Sequence, residues 1–346
     1  MRSRLVLGLA IIGIGATTGY AQSGARLLVI EKGAQSLAII DPDSGKKIAS
    51  VAEGGITGHE VAASRDGKLA FVPIYGNSGV GRPGTDGREM VVIDIAAQKV
   101  IQRIDIGSAY AGAAVRPHLP VMGPPVANYP DGLLYVTSEL KNAITVIDPK
   151  TLKIIGAIPT GQAESHMLAV SHGGRWGYTA NVGPGTVSVL DLTPKSDGTW
   201  HNPVTVIPIS KEVQRISISM DEKMVFTSDQ TNTDLVVIDT ATNKIKKRIP
   251  MESHGYGSAP TPDGRWLLVA MEAVNKVAVI DLKTLEVARN IDVAATPQAI
   301  LVAPDGKRAY VSCDRSGQVA EIDLSTWKVA RMIDAGKVAD GLAWAK

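Results

Sequence analysis

The sequence predicts an all-β fold, a seven-bladed β-propeller built from four-stranded antiparallel blades. Three observations carry this expectation. An aliphatic-Asp phrase recurs at Ile40-Asp41, Ile93-Asp94, Ile147-Asp148, Leu190-Asp191, Ile238-Asp239, Ile280-Asp281 and Ile322-Asp323, with gaps of 53, 54, 43, 48, 42 and 42 residues. A period of about 40–50 residues is that of one propeller blade. Each copy has room for four short strands separated by turn residues, and the two chain ends hold complementary fractions of a blade.

The copy from Tyr256 to Ala294 shows the elements in order. Gly257 to Thr261 is short and small, which suits an innermost strand. Pro262-Asp263-Gly264-Arg265 supplies the backbone geometry of a tight hairpin turn. Trp266 to Met271 reads as a second strand, Lys276 to Ile280 as a third, and Leu285 to Ile291 as a fourth. Other copies repeat the hairpin turn at Arg65-Asp66-Gly67-Lys68, Pro130-Asp131-Gly132 and Pro304-Asp305-Gly306. The strands that follow include Tyr135-Val136-Thr137-Ser138, Tyr178-Thr179-Ala180-Asn181 and Tyr310-Val311-Ser312. At the ends, Arg26 to Glu53 gives three strands with no inner strand before them, and Asp340 to Trp344 gives one inner strand with nothing after it. The expectation is a ring closed by pairing the C-terminal inner strand with the N-terminal strands, which removes exposed sheet edges. The recurrent outer-turn aspartates are expected to accept hydrogen bonds from turn backbone, not to bind metal.

These residues resemble the YVTN family of β-propellers, of which the YncE-like bacterial periplasmic proteins are members. Pro-Asp-Gly-Lys, a Tyr-Val-Thr-Asn-like strand and an Ile-Asp-x-x-Thr-x-Lys-Val turn carry the likeness. The resemblance implies the fold; related propellers include lactone hydrolases and quinoprotein dehydrogenase subunits, and nucleic-acid binding has been proposed for YncE-type relatives.

The first residues read as a secretory signal, residues 1–21. Arg2 and Arg4 precede an apolar run from Leu5 to Ala16, and Gly19-Tyr20-Ala21 offers small residues for cleavage before Gln22. Residues 22–346 are then one propeller domain, periplasmic or secreted, with no membrane span and expected to be monomeric. Losing Arg2 and Arg4 leaves 34 basic against 34 acidic residues. That balance and 4 % aromatics argue against a nucleic-acid partner. The lone cysteine, Cys313, has no partner for an internal disulfide and reads as a small strand residue.

Function should lie where the copies differ. The longest departure, Gly107 to Asn128, enters the third blade; a second, Tyr75 to Arg88, joins the second and third strands of the second blade. Both are expected on the same face, and long loops in compact folds are often functional. A third, Thr193 to Pro203, is expected on the opposite face, leaving His201 a surface residue. Aligning the entry to each inner strand gives a polar column of His59, His166, Gln214, Tyr256, Gln298 and Asp340, with the third blade unassigned. Glu60 follows His59, Arg116 and His118 lie in the long insertion, and His254 precedes Tyr256 by two residues. Together these ten are the expected ligand-binding residues at the channel mouth, for a protein, peptide or small polar ligand. Converging imidazoles can bind metal, shuttle protons or orient a ligand. A channel-bound metal, if present, is assigned to His59, His166 and His254, although their spacing carries no metal signature; no other cofactor is expected. The alternative function is a propeller enzyme of lactonase or quinoprotein-dehydrogenase-subunit type, using channel histidines or a metal.

Overall fold

The structure is a computed structural model that describes residues 24–80 and 82–346. The expected signal segment lies outside the described residues. Among the described residues no helix is long and apolar enough to cross a membrane.

Seven four-stranded antiparallel sheets follow one another as blades. The first is closed as expected: the last strand (Ala339–Ala345) is its innermost member and pairs with Arg26–Glu31, in the register Leu27↔Trp344 and Leu28↔Ala343. Strand faces carry Val, Ile, Leu and Ala, so each blade buries both faces against its neighbours. Leu28, Ile39, Val72, Val91 and Ile93 fill the seam between the first two blades. Full burial of such a side chain contributes about 1.5–3 kcal/mol, and the seams repeat around the ring. Cys313 lies in one of them, where burial pushes its thiol up to about 11.

All seven outer-turn aspartates act on backbone. Asp41 Oδ1 accepts from the N–H of Asp43 and Ser44, both at 2.9 Å. Asp94, Asp148, Asp191, Asp239, Asp281 and Asp323 repeat the arrangement two or three residues on. The Pro-Asp-Gly aspartates Asp263 and Asp305 do the same in the inner hairpins.

The third blade departs from the expected layout. Gly107 to Asn128 is not one loop: Pro117–Met122 is the innermost strand of that blade, paired with Leu134–Ser138. Only the stretch before it, a 3-10 turn at Ile106–Tyr110 and residues 111–116, is a channel-face insertion. Residues 123–133 form an enlarged first hairpin on the other face, crossed by a Val126↔Tyr129 bridge. Two prolines in Pro117-His118-Leu119-Pro120 hid the strand, since proline cannot donate to a ladder. Residues 193–203 join the third and fourth strands of the fourth blade, as expected. Trp200 from this segment is buried against Leu133, Ile158 and Leu192, and His201 is half-buried.

Candidate functional site at the channel mouth

Inner strands of five blades slip register near their start. The shifts fall at Pro117/Pro120, Ser165/Met167, Gln214/Ile216, Pro297/Ile300 and opposite Val29/Glu31. Such a bulge re-aims a side chain out of the sheet. The bulged positions include His118, His166, Arg215, Gln298 and Asp340; Gln214 stands just before the fifth-blade bulge, and His59 and Tyr256 hold the column's place in the remaining two blades. The missing third-blade member of the polar column is therefore His118.

A second ring stands beside the first. The residue just after the second strand of a blade is Lys32, Glu139, Val182, Gln230, Glu272 or Asp314, and in the second blade, whose second strand ends at Pro73, Tyr75 stands one residue further on. Sequence reasoning missed this ring because three of its members, Lys32, Glu139 and Glu272, open short 3-10 turns that read as ordinary surface turns. Aligning the residues that follow the seven second strands would have exposed it. The rings are tied together: Lys32 Nζ pairs with Asp340 Oδ2 at 3.2 Å, Gln298 Nε2 donates to Glu272 Oε1 at 2.5 Å, and His166 Nδ1 bonds Glu139 Oε1.

Between the rings lies a cavity of about 540 Å³. Histidines and a tyrosine form one wall. The His118 and His166 rings stack at 3.8 Å, His59 meets His118 at 5.6 Å, and Tyr75 lies 4.5 Å from His59 and 5.0 Å from His118, centroid to centroid. Tyr256 lies on the other side with the Arg215 guanidinium over its ring at 4.2 Å. Beneath, Arg215 Nη1 pairs with Glu60 Oε1, a bond between residues 155 apart in sequence and three blades apart in the ring. Both side chains are only 6 % exposed. This pair crosses the lumen and floors the cavity, giving it the form of a cup. Packing there is tight: a Cβ on Gly341 would lie 2.5 Å from the Glu60 Cα.

The segment between Tyr75 and Arg88 folds as a hairpin over the rim, with bridges Gly76↔Asp86 and Gly79↔Arg82. Gly76 has φ +109, and a Cβ there would meet Thr85 O at 2.1 Å, so only glycine permits this entry. Arg116 holds the hairpin: its guanidinium bonds Asp86 Oδ1 at 2.8 Å and Gly79 O at 3.1 Å. The same guanidinium reaches Glu139 Oε2 at 3.4 Å, and Tyr75 Oη donates to that oxygen at 3.0 Å. One buried carboxylate thus links the hairpin to the His166 ring.

Burial, helped by the Lys32 charge, holds the His59 imidazolium down to about 3, and burial with the neighbouring histidines holds His118 well below its ordinary value. Both rings are neutral at pH 7. Burial raises Glu60 against the opposing pull of Arg215. Burial likewise raises the Tyr75 phenol, with Glu139 adding to it. Four buried polar atoms on cavity-lining residues have no protein partner: His118 Nδ1, Gln214 Oε1, Arg215 Nε and Asp340 Oδ1.

Of the ten expected site residues, His59, His118, His166, Gln214, Tyr256 and Asp340 line the cavity. Glu60 lies under its floor and Arg116 behind its wall. Gln298 turns to Glu272. His254 does not join the other histidines; it is exposed and lines a neighbouring pocket of about 340 Å³ with Glu272 and Arg315. The grouping of His59, His166 and His254 around one metal is therefore not what the fold presents. Among the described residues no group of three or more His, Cys, Asp or Glu side chains is arranged to hold a metal ion. Arg215 and Glu139, absent from the expectation, are buried charges of the site, at 5 % and 1 % exposure.

Residues 254–345 match the family model of YNCE-like β-propellers, and this match together with the seven-bladed architecture fits the YncE-like propeller family. Among solved structures the chain is similar to hydrazine synthase of Kuenenia stuttgartiensis. The TM-score is 0.71 at 18 % identity, over 87 % of this chain and 92 % of that one. It is also similar to dihydro-heme d1 dehydrogenase NirN, solved in complex with DHE. Here the TM-score is 0.61 at 16 % identity, over 89 % of this chain and 63 % of that one. At these identities the likeness is one of fold. No curated protein matches the chain significantly.

Proposed function

We propose that the protein is an exported propeller that binds a small polar ligand in the cup at its channel mouth. The observation that carries this reading is the set of four unpartnered buried polar atoms on residues lining one cavity. A buried polar atom without a partner costs about 1–3 kcal/mol, and four at one place suit a site completed by something other than protein. The closed floor favours a small molecule over a threaded peptide. Export rests on the basic start and apolar run of residues 1–21. Native mass spectrometry of the purified protein, followed by thermal-shift screening of small polar metabolites, tests the reading. A co-purifying or stabilising compound whose effect is lost in Gln214→Leu supports it. A protein that carries only water and responds to no compound refutes it.

One observation favours a second reading. His166 pairs with the fully buried Glu139 while its ring lines the cavity, an arrangement that orients an imidazole for general acid–base work. Lactone hydrolysis that is abolished in His166→Gln, with folding intact, would establish it.

A further inference from the structure

The chemistry of the cup narrows the ligand class, given the reading of the cup as a ligand site. Among the unpartnered atoms, Asp340 Oδ1 and Gln214 Oε1 are acceptors, Arg215 Nε is a donor, and His118 Nδ1 takes either role. Asp340, His118 and Arg215 are each at most 7 % exposed. The lining therefore asks for a molecule that brings hydrogen-bond donors.

Charge points the same way. The two cations deep in the cup are already matched, Lys32 by Asp340 and Arg215 by Glu60. At the rim, Glu164 and Glu212 line the cavity and make no ion pair among the described residues; Glu164 accepts one backbone N–H, from Gly183. Arg82, on the exposed hairpin, is the one lining cation likewise without an ion pair there. A carboxylate ligand would have to compete with Asp340 or Glu60 for its cation, whereas an ammonium meets acceptors that protein groups leave open. The tyrosines beside the cup already have cations near their rings: Arg116 lies 5.7 Å from the Tyr75 centroid and Arg215 4.2 Å from that of Tyr256. Such rings attract ammonium groups as they do guanidinium.

We propose that the cup takes a small organic amine, a molecule with a cationic ammonium group and at least one further O–H or N–H donor. A cavity of about 540 Å³ has ample room for a compound of amino-alcohol or short diamine size, the smallest members of this class.

The test is calorimetric titration of the full-length mature chain with ethanolamine and putrescine, against glycolate and succinate as anionic counterparts and ethylene glycol as the neutral one. The expected result is binding of at least one amine, at least tenfold tighter than its anionic counterpart. Gln214→Leu should weaken amine binding at least tenfold. Glu212→Gln changes an exposed residue and keeps the fold, and should weaken it about two- to fivefold and lessen its dependence on salt. If glycolate, succinate or the glycol binds better than the amines and Gln214→Leu abolishes that binding, the amine assignment falls and the cup remains a ligand site. Amine binding unchanged in both variants places the amine elsewhere and overturns the proposal. If no probe binds and the protein carries no small molecule by native mass spectrometry, both readings fall.

Discussion

Replacing Glu60 by Gln leaves the Arg215 guanidinium buried with no counter-charge. Burial of both side chains is nearly complete, at 6 % exposure each, and breaking a buried pair by removing one partner costs about 3–5 kcal/mol. Arginine cannot escape by losing its proton, so the loss in Glu60→Gln should not shrink between pH 7 and pH 5. The converse change, Arg215→Met, leaves a carboxyl that can take up a proton. Protonating a glutamate of ordinary pKa near 4.3 costs about 3.7 kcal/mol at pH 7 and about 1 kcal/mol at pH 5. That cost caps the electrostatic penalty. The sign follows: with its folded pKa raised above the unfolded value, Glu60 binds more protons folded, so stability rises as pH falls and levels off below the unfolded pKa. Burial raises Glu60 in the parent protein too, so relative to the parent Arg215→Met should regain up to about 2.7 kcal/mol between pH 7 and pH 5, and Glu60→Gln should regain none. Urea unfolding followed by tryptophan fluorescence at the two pH values measures both. Equal pH dependence in the two variants, or losses below about 0.5 kcal/mol in each, would refute the closed floor.

Other perturbations give separate readouts. Glu53 is fully buried, its Oε2 accepts the Gly58 N–H at 2.7 Å and its Oε1 has no partner, and burial raises its carboxyl to about 7. A raised folded value means stability is lost as pH climbs from about 4.5 to 7, so Glu53→Gln should gain up to about 3 kcal/mol on the parent between pH 5 and pH 8; a flat difference would contradict this. Arg116→Met frees the hairpin over the cup, and proteinase K should then nick between Asn77 and Asp86 at least several-fold faster, as followed by mass spectrometry. Unchanged resistance would mean the Asp86 and Gly79 bonds do not hold it. Ending the chain at Val338 removes the closing strand and bares the edge of Arg26–Glu31, so size-exclusion chromatography should show oligomers or aggregate. A monomer with an unchanged melt would show that closure is dispensable.

The fold was legible because its determinants are local and repeated. Each Asp of the outer turns satisfies backbone two or three residues away, so seven turns announced seven blades. The polar column was legible for the same reason, since its members sit at a fixed place at the entry to each inner strand. Legibility failed where proline masked a strand, which left His118 unplaced, and where a contact spans blades. Nothing near Glu60 in sequence points to Arg215, which comes 155 residues later, and Arg215 reads in isolation as an exposed strand residue. Glu139 was invisible because Glu139-Leu140-Lys141 has the composition of a solvated turn, while its carboxylate is sealed by Arg116, Tyr75 and His166. His254 shows the opposite error: nearness to Tyr256 in sequence did not carry it to the same pocket.

Joining the two ends in one blade also fixes when the ring can be finished. Leu27 and Trp344 are register partners, separated by roughly the whole domain. Bringing so distant a pair together costs about 3 kcal/mol more chain entropy than closing a ten-residue hairpin. Six blades can form from neighbouring segments as the chain emerges, but the first blade waits for the final seven-residue strand, Ala339–Ala345. Until it arrives, Asp340 is absent from the mouth and Lys32 lacks its partner. The cup is thus assembled last, by the end of the chain, and only a full-length polypeptide can possess it.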